Sequence, residues 1–177
     1  MTEDSKKRLV QVFTGDGKGK TSAALGEVVR AAGQGLRAYV VFFMKGDYPY
    51  GEFKTLPTLP NVEIAKFGFN CRTDPKDLKP EEIEQARQAL GAAREAMLSG
   101  KYDMVVLDEV NVAAAWKLVE AKEVVNLIKE KPSNVELILT GRYADAGIIE
   151  QADLVTEMVK IKHPYDRGVL ARKGIEY

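Results

Sequence analysis

Cysteine is almost absent from this 177-residue chain. The single Cys71 excludes an internal disulfide and a cysteine-cluster zinc site, and it suits a reducing compartment. Long apolar runs are absent as well. The longest, residues 38–44, is too short to span a bilayer, and the polar residues 1–8 hold no apolar signal core. These features predict a cytoplasmic protein with no membrane partner. Charge of one sign is not in excess either. Lys+Arg and Asp+Glu each count 26, so no global field draws the chain to nucleic acid. Histidine occurs once, at His163, and no Ser/His/Asp arrangement is visible.

What is present suits a globular protein. Apolar residues make up 45% and charged residues 29%, enough for one domain over residues 1–177 with a real core. A short polar arm (residues 1–8) precedes it, and a basic, irregular tail (residues 160–177) closes it. The most informative stretch is Val12-Phe-Thr-Gly-Asp-Gly-Lys-Gly-Lys-Thr21, an apolar strand running into a glycine-rich turn that opens a helix. Gly15, Gly17 and Gly19 let the backbone curl so that its N–H groups point inward, and the helix adds its positive N-terminal end. Lys20 supplies a point charge for phosphate oxygens, and the Thr21 hydroxyl can reach a bound Mg²⁺. The usual pattern wants a glycine where this chain has Thr14, so the loop is shorter than standard or differently shaped. A Gly/Lys-rich surface turn would lack the flanking strand and helix. The stretch predicts a polyphosphate cradle.

Strands are predicted at residues 9–13, 37–44, 62–67, 102–107, 135–139 and 154–159. Helices are predicted at 21–33, from Pro80 to Gly100, through to Lys131 with a break near Glu120, and at 146–151. Leu25, Val28, Val29 and Ala32 would form the buried face of the first helix. Such alternation demands parallel crossovers, which gives an α/β fold: an open, mostly parallel P-loop sheet with helices on both faces. Strand order is not legible. Ligands bind such sheets at the carboxyl ends of their strands, which gathers the phosphate loop, Asp108-Glu109, Thr140-Gly141-Arg142 and the loops at 45–60 and 68–79 onto one edge. The apolar run Met104-Val-Val-Leu-Asp-Glu109 predicts a metal-directed role for Asp108 or Glu109, against the plainer reading of an acid that caps the next helix. Arg142 braces a bound phosphate or a partner chain, or is an ordinary surface arginine. His163 reads as structural or substrate-contacting in preference to a general base. Phe67 and Phe69 would normally be core, but they lie in a loop on the active edge.

Together these segments, with Ala152-Asp-Leu-Val-Thr-Glu157, Ile161-Lys-His-Pro-Tyr-Asp166 and the closing Lys173-Gly-Ile-Glu-Tyr177, resemble the ATP:corrinoid adenosyltransferases over nearly the whole chain. The nearer likeness is to the cob(I)yrinic acid a,c-diamide adenosyltransferase type, and the displaced glycine at Thr14 is part of it. The resemblance implies a RecA-like P-loop core and a homodimer. It also implies transfer of the 5′-deoxyadenosyl group of ATP to the Co(I) of a reduced corrinoid (cobalamin, cobinamide or cobyrinic acid diamide), with triphosphate released. By the same resemblance, Gly15, Asp16, Gly17, Lys18, Gly19, Lys20 and Thr21 hold the triphosphate. Thr21 and Glu109 help position Mg²⁺, and Phe69, Asn70 and Cys71 lie against the corrinoid. A reductase could dock to supply electrons. Co(I) is itself a strong nucleophile, so the residues expected to matter for the reaction are Lys20, Glu109 and Phe69. Two rivals fit the bare loop: a small-metabolite kinase, and an ATP-driven switch of RecA type in which Glu109 orients water.

Overall fold

In the computed structural model, which describes residues 7–69 and 73–177, six strands form one sheet in which every pairing is parallel. In chain order they are β1 (Val10–Thr14), β2 (Ala38–Phe42), β3 (Val62–Lys66), β4 (Met104–Asp108), β5 (Glu136–Thr140) and β6 (Leu154–Glu157). The spatial order is β3-β2-β4-β5-β1-β6. The helices are α1 (Lys20–Gly33), α2 (Glu52–Thr55), α3 (Pro80–Leu98), α4 (Val110–Ala115), α5 (Ala121–Lys129) and α6 (Ala146–Gln151).

The two central strands explain why the sheet is parallel and covered. All five residues of β4 and all five of β5 are buried, as runs of Val, Ile and Leu must be when helices pack on both faces. Side chains alternate between two cores. Val105, Leu107, Leu137 and Leu139 join Ala86, Ala89, Ala93 and Met97 of α3 on one face. Val40, Phe42, Val106 and Ile138 join Ala24, Val28 and Ala31 of α1 on the other. Alanine at the contact faces of α1 and α3 lets both helices lie close to the sheet.

Several boundaries differ from expectation for identifiable reasons. Val29 is 52% exposed, because one residue step turns the helix by about 100° away from Val28. The second strand stops at Phe42 because Met44 takes a left-handed conformation (φ 57°) and turns the chain over the sheet edge. The last strand stops at Glu157, and the Met158 carbonyl instead accepts a hydrogen bond from the Gly17 N–H at 2.6 Å. The predicted break near Glu120 separates α4 from α5. The tail holds one short 3-10 turn, Pro164–Arg167. Among the described residues, no helix is long and apolar enough to cross a membrane.

Candidate active site

Strand order places four chain segments side by side. The carboxyl ends of β2, β4, β5 and β1 are consecutive, so the loops that follow them meet at one edge of the sheet. A polar chain crosses three of these ends. Lys45, just past β2, brings Nζ to 2.7 Å from Asp108 Oδ2. Asp108, the last residue of β4, accepts from the Thr140 hydroxyl at 2.7 Å, and Thr140 ends β5. The Thr140 hydroxyl oxygen also accepts from the Glu109 N–H at 3.0 Å. Burial works against a charge on Lys45, yet the attraction of the Asp108 carboxylate outweighs it and holds the ammonium above the usual lysine range. The Lys45 ammonium also lies 4.6 Å from the centre of the Tyr50 ring. Both members of this ion pair are buried, so Asp108 is a fixed internal partner and not a group open to the cavity.

The phosphate loop bridges β1 and α1. Gly15 and Gly17 pass so close to the end of β6 that an added Cβ would meet the Met158 carbonyl oxygen at 2.6 and 2.7 Å. The loop shape therefore depends on glycine and on its neighbour strand. Lys20 folds back across the loop, donating to the Gly15 and Gly17 carbonyls at 2.8 and 2.7 Å. Its burial lowers the ammonium's pKa, with Glu109 opposing. The cation expected to meet phosphate thus lies within the curl of the loop. Lys18 points elsewhere: its Nζ donates to the Ile175 carbonyl at 3.0 Å and to Glu176 at 3.1 Å. Asp16 and Arg142 form a loose, solvent-exposed pair at 3.7 Å. Thr21 lines the cavity beside Gly19 and Lys20.

Glu109 occupies a strained position. Its φ is 67° and ψ 15°, a left-handed conformation that is costly for a residue with a side chain. Met44 (φ 57°) and Tyr143 (φ 61°) are strained in the same way, and all three line one cavity. Burial raises the Glu109 carboxyl to about 6, with the neighbouring Asp108 charge adding to the effect. Among the described residues, no group of three His, Cys, Asp or Glu side chains forms a metal site by itself. A Thr21 hydroxyl and a Glu109 carboxylate are hard oxygen donors, the type that suits Mg²⁺ bound jointly with phosphate oxygens.

Two adjoining cavities open at this edge, of about 530 and 540 Å³. One holds the phosphate loop (Gly17, Lys18, Gly19, Lys20, Thr21), with His163 and residues 174–177 on its wall. The other is lined by Phe43, Met44, Tyr48, Phe69, Val112, Trp116 and Tyr143. Lys20, Lys45, Tyr50, Glu109 and Arg142 border both. Phe69, 43% exposed, reaches the aromatic cavity, while Phe67 is half-buried and packs against the core. Asn70 and Cys71 lie outside the described residues. His163, on the wall of the phosphate-loop cavity, accepts from the Tyr165 N–H through Nδ1 at 3.2 Å.

Sequence reasoning missed Lys45, Tyr50, Trp116 and Tyr143 as site residues. For Lys45 a signal existed, because a lysine directly follows a wholly apolar run. Its partner could be identified only from the adjacency of β2 and β4.

Comparison with known proteins agrees with this architecture. The fold resembles that of EssC (ATPases 2 and 3) from Geobacillus thermodenitrificans, with a TM-score of 0.51 at 11% identity. That match covers 96% of this chain and 35% of EssC, and speaks to fold alone. A corrinoid adenosyltransferase of Escherichia coli K12 is 36% identical over 170 residues, covering 96% of this chain and 85% of that protein. The corrinoid adenosyltransferase CobA of Salmonella typhimurium LT2 is 37% identical over 171 residues, with the same shares covered. Residues 6–177 match the family described as ATP:corrinoid adenosyltransferase BtuR/CobO/CobP, and this chain belongs to that family.

Proposed function

We propose that this chain transfers the 5′-deoxyadenosyl group of ATP to the cobalt of a reduced corrinoid. The carrying observation is the pair of adjoining cavities, one built around a phosphate loop and one walled by aromatic and apolar side chains, with cations on their common border. In this reaction the Co(I) electron pair attacks C5′, and the C5′–O bond breaks with its electrons leaving on the triphosphate oxygen. Cobalt becomes formally Co(III). No protein base is required, since the nucleophile arrives activated. The protein has to align C5′ with cobalt and stabilise charge on the departing oxygen.

The residues divide the work accordingly. Backbone N–H groups of the loop and the Lys20 ammonium hold the triphosphate, with Lys20 exchanging its two carbonyl partners for phosphate oxygens. Arg142, exposed on the common border, braces the same charge. Mg²⁺ arriving with ATP would sit against Thr21 and Glu109 and supply further charge neutralisation to the leaving group. Phe69, with Trp116 and Tyr143, packs against the corrinoid and excludes water. The chain acts as a single domain in the cytoplasm and as a homodimer, with reducing equivalents supplied by a separate reductase.

Incubation with ATP and a cob(I)alamin-generating system tests the reading. A cobalt–carbon bond in the absorption spectrum together with intact triphosphate is the expected result. ADP plus phosphate, or a phosphorylated acceptor, would instead favour a kinase or a switch.

A further inference from the structure

One wall of the phosphate-loop cavity comes from a part of the chain far from that loop. Residues 174–177 lie there, more than a hundred and fifty positions beyond Lys18 in sequence, yet directly tied to it. Lys18 Nζ donates to the Ile175 carbonyl at 3.0 Å and to Glu176 Oε1 at 3.1 Å. The segment is a preformed turn. The Ile175 and Glu176 N–H groups both donate to the Arg172 carbonyl, at 3.1 and 2.9 Å, and Gly174 takes φ 76°. Arg172 clamps the Glu176 carboxylate through its backbone N–H at 2.8 Å, Nε at 3.2 Å and Nη2 at 2.9 Å. On the far side, the Tyr177 ring meets the Tyr48 ring edge-on, with centroids 5.4 Å apart. The turn is therefore anchored to the phosphate loop at one end and to the loop after β2 at the other.

Its chemistry does not match phosphate. Ile175 offers a branched apolar side chain, 57% exposed, Tyr177 offers an aromatic ring, and Glu176 a carboxylate. A polyphosphate gains nothing from an apolar wall, and the Glu176 carboxylate is already taken up by Arg172 and Lys18. A nucleoside gains from such a wall, since a flat base packs on an aliphatic or aromatic side chain. Resting on the ATP-site reading above, we propose that residues 174–177 recognise the nucleoside half of ATP, and that the Lys18 bonds to Ile175 and Glu176 set their position. Lys18 is then a positioning residue for this wall. The loop itself recognises only the phosphates, and the wall is what makes the cavity choose a nucleotide over a bare polyphosphate.

The test compares two ligands, MgATP and inorganic triphosphate with Mg²⁺, by titration calorimetry on the full chain and on a chain shortened to Lys173. The expected result is a loss of ATP affinity of about tenfold or more, the equivalent of about one or two lost contacts, with triphosphate affinity within about twofold of the full chain. Equal loss for both ligands would overturn the proposal, since the segment would then merely support the loop. Unchanged or improved ATP affinity would overturn it as well. If the shortened chain does not fold, Ile175→Ala combined with Tyr177→Ala keeps the turn backbone and should weaken ATP but not triphosphate. A full-length chain that binds neither ligand would instead sink the nucleotide-site reading itself, a separate outcome visible before any variant is compared.

Discussion

Lys45→Met would leave the Asp108 carboxylate buried with no counter-ion, and removing one partner of a buried pair costs about 3–5 kcal/mol. The expected outcome is a large fall in melting temperature for the single variant. The double variant Lys45→Met with Asp108→Asn should recover much of it, because the stranded charge is gone. A single variant that melts with the parent would show that Asp108 finds other compensation. Glu109 gives a second prediction, through pH. Its carboxyl is raised from 4.5 to about 6 in the folded chain, so the folded state holds this proton more tightly than the unfolded state does. Native stability from this group therefore increases as pH falls through 6 toward 4.5, and is lost again at higher pH. Metal binding runs the other way, since only the ionised form is a good ligand for Mg²⁺. MgATP affinity should drop below a pH of about 6, and Glu109→Gln should flatten that profile while stabilising the nucleotide-free chain at neutral pH. Calorimetric titration and thermal melts across pH check the two halves.

Much of the element layout was legible because each strand and helix carries its own local signature. Val-Val-Leu in β4 and Leu-Ile-Leu in β5 read as buried parallel strands. Pro80 with Glu81 and Glu82 marks the start of α3, where Glu82 accepts from the Lys79 N–H at 2.9 Å. What stayed hidden depends on the neighbours of each element. Lys45 and Asp108 are an ion pair only because β2 lies beside β4, and sequence patterning says nothing about which strands are adjacent. Residues 174–177 carry no helix or strand period, so their place beside Lys18 had no local signal. The phosphate loop was the opposite case, since its glycines and lysines announce the shape directly. At this scale the loops after β2 and β3 are interlocked. Gly68 (φ 107°) would place a Cβ 2.7 Å from Met44 Cα, and Gly46 (φ 48°) would place one 2.6 Å from the Phe69 carbonyl carbon. Gly68→Ala should therefore destabilise the chain by about 1–3 kcal/mol and displace the Met44 and Phe69 walls. Corrinoid adenosylation should fall much further than MgATP affinity, a split that parallel rate and binding measurements would expose.

The whole molecule presents β6 as an edge strand with Leu154 and Val155 exposed, and Val159 and Ile161 exposed just beyond it. Open apolar edges invite pairing with another chain. Sedimentation analysis should find a dimer, and Val155→Lys should shift it toward monomer; a variant that stays dimeric would place the interface elsewhere. The seam between the two cavities also has a kinetic consequence. Each chamber keeps side chains the other does not share, so both guests can be seated at once on either side of the seam. Initial rates should accordingly show intersecting double-reciprocal lines, the pattern of two reactants held together before either product leaves.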